Sequence, residues 1–368
     1  MSSSPSARRE YLDWARGIAV LLMIEAHTSD AWTKLTVRRT PAFRDANILG
    51  GFAAPLFLWL AGLAIVLSAT RTFERTGSRR EAVENACRRG LEIFILAFLF
   101  RLQGFIITPG GYLVTLFRVD VLNIMGPSMV LVALIWGLTR TTRSRVIAYG
   151  VAASAIAMLT PIVRASPMVG GLPIWVQWYM RPAGDLTIFT IFPWAGFVFT
   201  GGAAGALIAA ARDDHAERRI LAGVGVAGAA IVALGFYLAA QPSIYRVSSF
   251  WTSSPTWFAI RTGILMIALS AIFAIQATIR PGSPVFSWMR PLAVLGRSSL
   301  FVYWIHVELV YGYASWPWRL RLPLWGTAIA FVLFSALMYG AIAMRDQVMR
   351  NWRAPRPSDQ RGGAVARA

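Results

Sequence analysis

The chain has 368 residues, 56% of them hydrophobic and only 14% charged, with a formal net charge of +19. A soluble domain of this size carries about 25% charge; long apolar runs broken by short Arg-rich loops describe a polytopic α-helical membrane protein instead. Alternating strand patterns are absent, which argues against a barrel. The basic residues sit in loops between spans rather than on one soluble face, which argues against nucleic acid.

Hydropathy and loop breaks predict an all-α transmembrane bundle of about ten helices. Their expected bounds are 11–32, 48–69, 90–108, 121–138, 146–163, 187–211, 220–240, 258–279, 296–316 and 323–344. The stretch 164–186 is long and mixed, and its Trp and Tyr residues suit a re-entrant or interfacial segment. The transmembrane domain is expected over 11–344, flanked by disordered basic tails at 1–10 and 345–368 that suit anionic lipid. With the N-terminus inside, 24 of the 36 Lys and Arg residues fall on the inner side and 12 on the outer. That asymmetry predicts both termini in the cytoplasm and a multi-pass protein of the inner membrane. The first apolar segment holds internal charges and lacks a small-residue cleavage site, so it is expected to stay in the mature chain. A single cysteine, Cys87, leaves no intrachain disulfide.

The first helix reads YLDWARGIAVLLMIEAHTSDAW. It carries Asp13, Arg16, Glu25 and His27 inside an otherwise apolar span, and such groups are tolerated in lipid where they line a cavity or do chemistry. Asp13, Arg16, Val20, Met23 and His27 follow 3-4-3-4 spacing and share one face. Arg16 and His27 nearly eclipse, ~16 Å apart along the axis. His27 has two readings, a cation at a helix C-terminus or a general base inside the membrane. Glu25, about 200° around the helix from His27, faces a second helix or another cavity.

Further on, Asp120 and Asn123 open the fourth span; capping is one explanation for Asp120 and orienting a polar partner is the other. Between the sixth and seventh spans, His215 sits in a charged loop and is expected to be solvated. Small residues cluster at Gly201-Gly202-Ala203-Ala204-Gly205 and at Gly223-Val224-Gly225, which predicts close helix packing. In the ninth span Ser299, Tyr303 and His306 share a face, with Glu308 two residues beyond His306. They are read either as a buried polar ladder or as a second wall of the same cavity. Arg88 and Arg89 open the third span. Guanidinium forks suit phosphates, so a nucleotide-bearing donor such as coenzyme A could bind there; the other explanation is ordinary positive-inside bias. No P-loop, dinucleotide fingerprint or metal-ligand cluster is present, and no metal or bound cofactor is expected. An internal repeat is also absent, which weighs against the inverted-repeat transporters.

These residues resemble a family. Leu12-Asp13-Trp14-Ala15-Arg16-Gly17 followed by Met23 is similar to the D-x-x-R-G-x5-M signature of heparan-alpha-glucosaminide N-acetyltransferase catalytic domains and their bacterial relatives. Ala54-Pro55-Leu56-Phe57-Leu58 with Gly62, Phe192-Pro193-Trp194-Ala195-Gly196, and Leu295-Gly296 with Ser299 to Tyr303 and His306 resemble its later landmarks. Arg16-x10-His27 also resembles the R-x10-H motif of the type-three membrane acyltransferases. The resemblance implies a membrane acyltransferase that moves an acetyl or other acyl group from cytoplasmic acyl-CoA to a sugar amine or hydroxyl on the far side. No histidine lies between Thr28 and Pro55, where the heparan enzyme carries its catalytic one, so that role transfers only to His27.

The expected roles are then His27 as general base or acyl carrier, with Arg16 and Asp13 beside it. Substrate contacts are expected from His306, Glu308, Asp120, Asn123, Glu25, Ser299 and Tyr303, and donor contacts from Arg88 and Arg89. The expected partners are the bilayer, acyl-CoA and a glycan or amino-sugar acceptor; a homo-oligomer stays open. The alternative is a transporter or flippase for a small polar or lipid-linked solute, and a non-catalytic scaffold is a third.

Overall fold

The structure, a computed structural model, describes residues 9–107, 112–184, 187, 189–280 and 282–353. It is a bundle of fourteen helices among the described residues. In chain order these are α1 (Glu10–Trp32), α2 (Pro41–Gly50), α3 (Ala53–Thr76), α4 (Arg79–Ile107), α5 (Val121–Leu138), α6 (Thr142–Ala165) and α7 (Pro167–Gly170). They continue with α8 (Ile174–Met180), α9 (Ile191–Ala209), α10 (Asp214–Ala239), α11 (Pro255–Thr278), α12 (Pro284–Arg297), α13 (Ser299–Tyr311) and α14 (Leu324–Arg353).

Eight helical segments are long and apolar enough to cross a membrane, or nine if the bent pair α12–α13 counts as one. The 23-residue α1 is itself long enough to span, but Asp13, Arg16 and Glu25 interrupt its apolar run. The expected ninth span, 296–316, is α13 followed by a short 3-10 helix at Tyr313–Trp318, and the further helix α12 precedes it. α12 and α13 meet at Ser298 with a bend of 78°. The mixed stretch after α6 folds into the short α7 and α8, with Trp178 buried and Trp175 exposed. Residues 345–353, expected to open a tail, continue α14; residues 1–8 and 354–368 lie outside the described residues. His215 stands exposed in the first turn of α10, which Asp213 caps, rather than in a loop.

Close approach sets the packing, because little hydrophobic force separates helices from lipid and small residues let backbones meet. A Cβ on Gly201 would strike the Trp59 carbonyl, and one on Gly205 would crowd the Leu63 carbonyl, so α9 lies directly on α3. At the other end of the chain, Gly296 of α12 fits against the Asp13 carbonyl of α1. From there α13 climbs beside α1 toward its C-terminal end. Val310 accepts from the Trp32 indole at 3.2 Å. The last helix starts where α1 ends, with Thr33 and Thr327 hydroxyls 3.0 Å apart. It runs back to Arg345, which donates to Ser298 at 3.0 Å, beside the N-terminal half of α1. The two described chain ends thus share one end of the bundle.

Candidate active site

Two histidines that lie 279 positions apart in sequence meet between α1 and α13. His27 Nδ1 lies 2.8 Å from His306 Nε2. The ring planes differ by 4° and the centroids are 5.0 Å apart. A 2.8 Å nitrogen separation is shorter than face-stacked rings allow, so the two imidazoles lie edge to edge in one plane. His306 is fully buried, and its Nδ1 sits 2.9 Å from both the Val302 and Tyr303 carbonyls. His27 is only partly buried. Its ring edge meets Tyr311 at 5.6 Å, and the Tyr311 hydroxyl donates to Asp30 at 2.9 Å.

Asp120 joins this pair to α4 and α5. One carboxylate oxygen caps α5 by accepting from the Val121 N–H at 2.7 Å, and the Asn123 side chain accepts from the Asp120 N–H at 2.9 Å. The other oxygen takes Arg101 at 2.5 Å and the Tyr303 hydroxyl at 3.2 Å. Capping and orienting are therefore both present in one residue. Asn123 also reaches Tyr179 of α8, whose phenol is pushed up by burial and pulled back by that hydrogen bond. Asn123 and Tyr179 stand, with Ser128, in the lining of a mostly apolar slot of about 260 Å³ between α5, α6 and α9.

The remaining expected residues lie elsewhere. Glu308 stands near Gly104 on the Arg101 side. Ser299 opens α13, seven residues and about 10 Å before His306 along the axis. Glu25 faces away from the histidines: one oxygen accepts from Ser29 at 3.0 Å, and the other is buried beside Gly50 without a hydrogen-bond partner. Arg88 and Arg89 are exposed on α4, with Arg89 paired to Glu92 at 2.9 Å.

Asp13 and Arg16 approach at 3.4 Å at the far end of α1. They line a cavity of about 470 Å³ with Arg9, Arg71, Arg75, Ser68 and Thr72. Four guanidiniums around one opening suit an anion, since Arg forks match phosphate oxygens. Arg9 is itself tied to Glu217 at 2.8 Å. The predicted stripe does not form a continuous open wall: Val20 and Met23, between Arg16 and His27, are packed into the core.

Sequence reasoning missed Arg101, Tyr311, Asp30, Tyr179 and the arginines of α3. Ser68, Thr72 and Arg75, with Arg71, repeat at helical spacing on one face of α3, and that signal was readable. Arg101 inside an apolar run was readable too.

A helical membrane protein with an arginine-lined cavity at one end of α1 and an imidazole pair toward the other has the layout of a membrane transferase. The family model for heparan-alpha-glucosaminide N-acetyltransferase, catalytic, matches residues 8–242, and the chain belongs to that family. No curated protein matches. The match includes Arg16, His27, Arg101 and Asp120; Tyr303, His306 and Glu308 come from the part of the chain beyond it.

Proposed function

We propose that this protein transfers an acetyl or related acyl group from acyl-CoA to an amine or hydroxyl of a sugar, across the inner membrane. The observation that carries the reading is the pairing on one helix of an arginine-lined cavity and a partly open histidine, ~16 Å apart along α1. The basic end faces the cytoplasm, where acyl-CoA is made, in line with the distribution of basic loops. Arg9, Arg16, Arg71 and Arg75 hold the donor's phosphates, and Asp13 holds Arg16. Arg88 and Arg89 do not line this cavity, so the arginines that do take the donor role. The extended pantetheine arm runs along α1 toward His27, a path that requires both Val20 and the flexible Met23 to give way.

At the other end His27 acts as general base. The acceptor N–H or O–H gives its proton to the imidazole, and the freed lone pair bonds to the thioester carbonyl carbon. The C–S bond breaks, and the CoA thiolate leaves and takes the proton from the imidazolium. Asp120 and Tyr303, hydrogen-bonded to each other one turn from His306, frame the acceptor side.

The test is labelled acetyl-CoA with purified protein in nanodiscs and a panel of amino sugars and glycans, beside His27→Ala. Expected is label transfer that falls about 10²- to 10⁴-fold in the variant. Full turnover by folded His27→Ala overturns the base assignment. Solute movement into proteoliposomes without acyl-CoA, and no thioester turnover, replaces the enzyme by a transporter.

A further inference from the structure

The hydrogen-bond geometry at His306 fixes where its protons are. Backbone carbonyls only accept, and two of them stand 2.9 Å from His306 Nδ1, so that nitrogen carries hydrogen. A second proton on the ring would leave an imidazolium sealed in the core with no carboxylate bonded to it. His306 Nε2 is then a bare lone pair. His27 Nδ1, 2.8 Å away and in the same plane, must be the donor.

We infer that His306 is a positioning residue that locks His27 in the tautomer with its lone pair on Nε2. The state of one imidazole nitrogen is set by the hydrogen bond the other makes. Without a partner, imidazole side chains favour the opposite form, with hydrogen on Nε2. His27 Nε2 has no hydrogen-bond partner among the described residues, and it is not one of the buried polar atoms lacking one. It is accessible in a half-buried residue, and its lone pair is available to an incoming X–H.

The inference rests on the proposed reading of His27 as base, and it adds the device that makes the base competent. The acceptor's proton lands on Nε2; the ring becomes an imidazolium whose Nδ1–H still donates to His306; the Nε2 proton then goes to the departing thiolate. His306 neither gains nor loses a proton in this sequence. It does the work that an acceptor does for any ligating or basic histidine, orienting the ring and fixing its tautomer. The residue that supplies this acceptor stands on α13, outside the family match, on the far side of the Ser298 bend.

The chain has three histidines, so ¹⁵N-histidine labelling gives a spectrum that His27→Ala and His306→Leu assign by subtraction. Expected in the wild-type protein in nanodiscs is His27 with protonated Nδ1 and bare Nε2, with a through-bond nitrogen coupling to His306. A His27 ring protonated on Nε2 in the wild-type protein overturns the inference outright. In kinetics, His306→Leu should lose about 10- to 100-fold in kcat with the KM for acyl-CoA held within about twofold. His306→Gln, whose amide oxygen can occupy the Nε2 position, should recover most of the loss. Equal losses in His306→Leu and His306→Gln, with the His27 tautomer unchanged in both, also overturn it. The two readings fail separately: an active His27→Ala removes the base but leaves the tautomer spectrum intact, whereas a reversed tautomer with inactive His27→Ala removes only the positioning role.

Discussion

Asp120 and Tyr303 are joined by a 3.2 Å hydrogen bond across 183 positions of sequence. Through it the α5 cap, the Arg101 ion pair and the histidine-bearing helix form one connected unit. The carboxylate that closes α5 also holds the residue one turn before His306, so a local helix-start device has become part of the site's frame.

Loss of that carboxylate should therefore cost more than a cap. Asp120→Ala removes about 1 kcal/mol of capping and leaves Arg101 facing a neutral site. Breaking a buried pair costs about 3–5 kcal/mol, and the partial exposure of both side chains, 20% and 16%, reduces that. Asp120→Asn keeps an oxygen for the Val121 N–H and should melt between wild type and Asp120→Ala. Thermal unfolding in detergent reads the order. An Asp120→Asn protein as stable as wild type would show that the charge pairing with Arg101 contributes nothing.

The donor cavity predicts a change confined to KM. Solvent-open ion pairs contribute about 1 kcal/mol or less, and charge-assisted bonds to phosphate somewhat more. Arg71→Ala and Arg75→Ala should each raise the KM for acyl-CoA about three- to tenfold with little change in kcat. The same change at Arg88 or Arg89 should do nothing, because both point outward from α4. Raising the salt concentration should shrink the difference between wild type and the two cavity variants. A KM that responds to Arg88 and Arg89 and not to Arg71 and Arg75 would move the donor to α4.

These two sets of arginines show what a sequence can and cannot convey here. Apolar run lengths locate the spans, and α5 falls on its expected residues, 121–138. The ionisable stripe of α1 was also visible, because charge in a span is rare enough to carry meaning. Which loop-proximal arginines face a cavity depends on the rotation of each helix about its axis, and that is set by partners distant in sequence. The approach of His306 to His27 has the same origin. It needs the chain to turn through 78° at Ser298; a span starting at 296 and the Gly296-Arg297-Ser298-Ser299 run mark a break there, but its angle is set by packing against α1 and α14.

That break is held from outside. Arg345 of α14 donates to Ser298 at 3.0 Å and lies 4.6 Å over the Phe301 ring. Arg345→Ala removes a hydrogen bond and a cation–π contact, together about 1–2 kcal/mol. A lower melting temperature is expected, with a fall in kcat, because α13 carries His306. Arg345→Lys keeps the charge but not the fork and should recover only part. Wild-type melting and turnover in Arg345→Ala would show that α13 holds its place through its contacts with α1 alone.

The glycine stripes supply a control in which sequence likeness and structural role separate. Gly201 and Gly223 both stand in small-residue clusters that the sequence reads in the same way. At Gly201 a side chain would enter the Trp59 backbone of α3, whereas at Gly223 nothing lies within 4 Å. Gly201→Ala should therefore force α9 off α3 at an overpacking cost of about 1–3 kcal/mol. Gly223→Ala, in the interior of α10 with open space around it, should instead gain up to about 1 kcal/mol from helix propensity. Melting curves of the two variants should thus move in opposite directions. A Gly201→Ala protein that melts no lower than wild type would mean that α9 does not rest on α3 through Gly201.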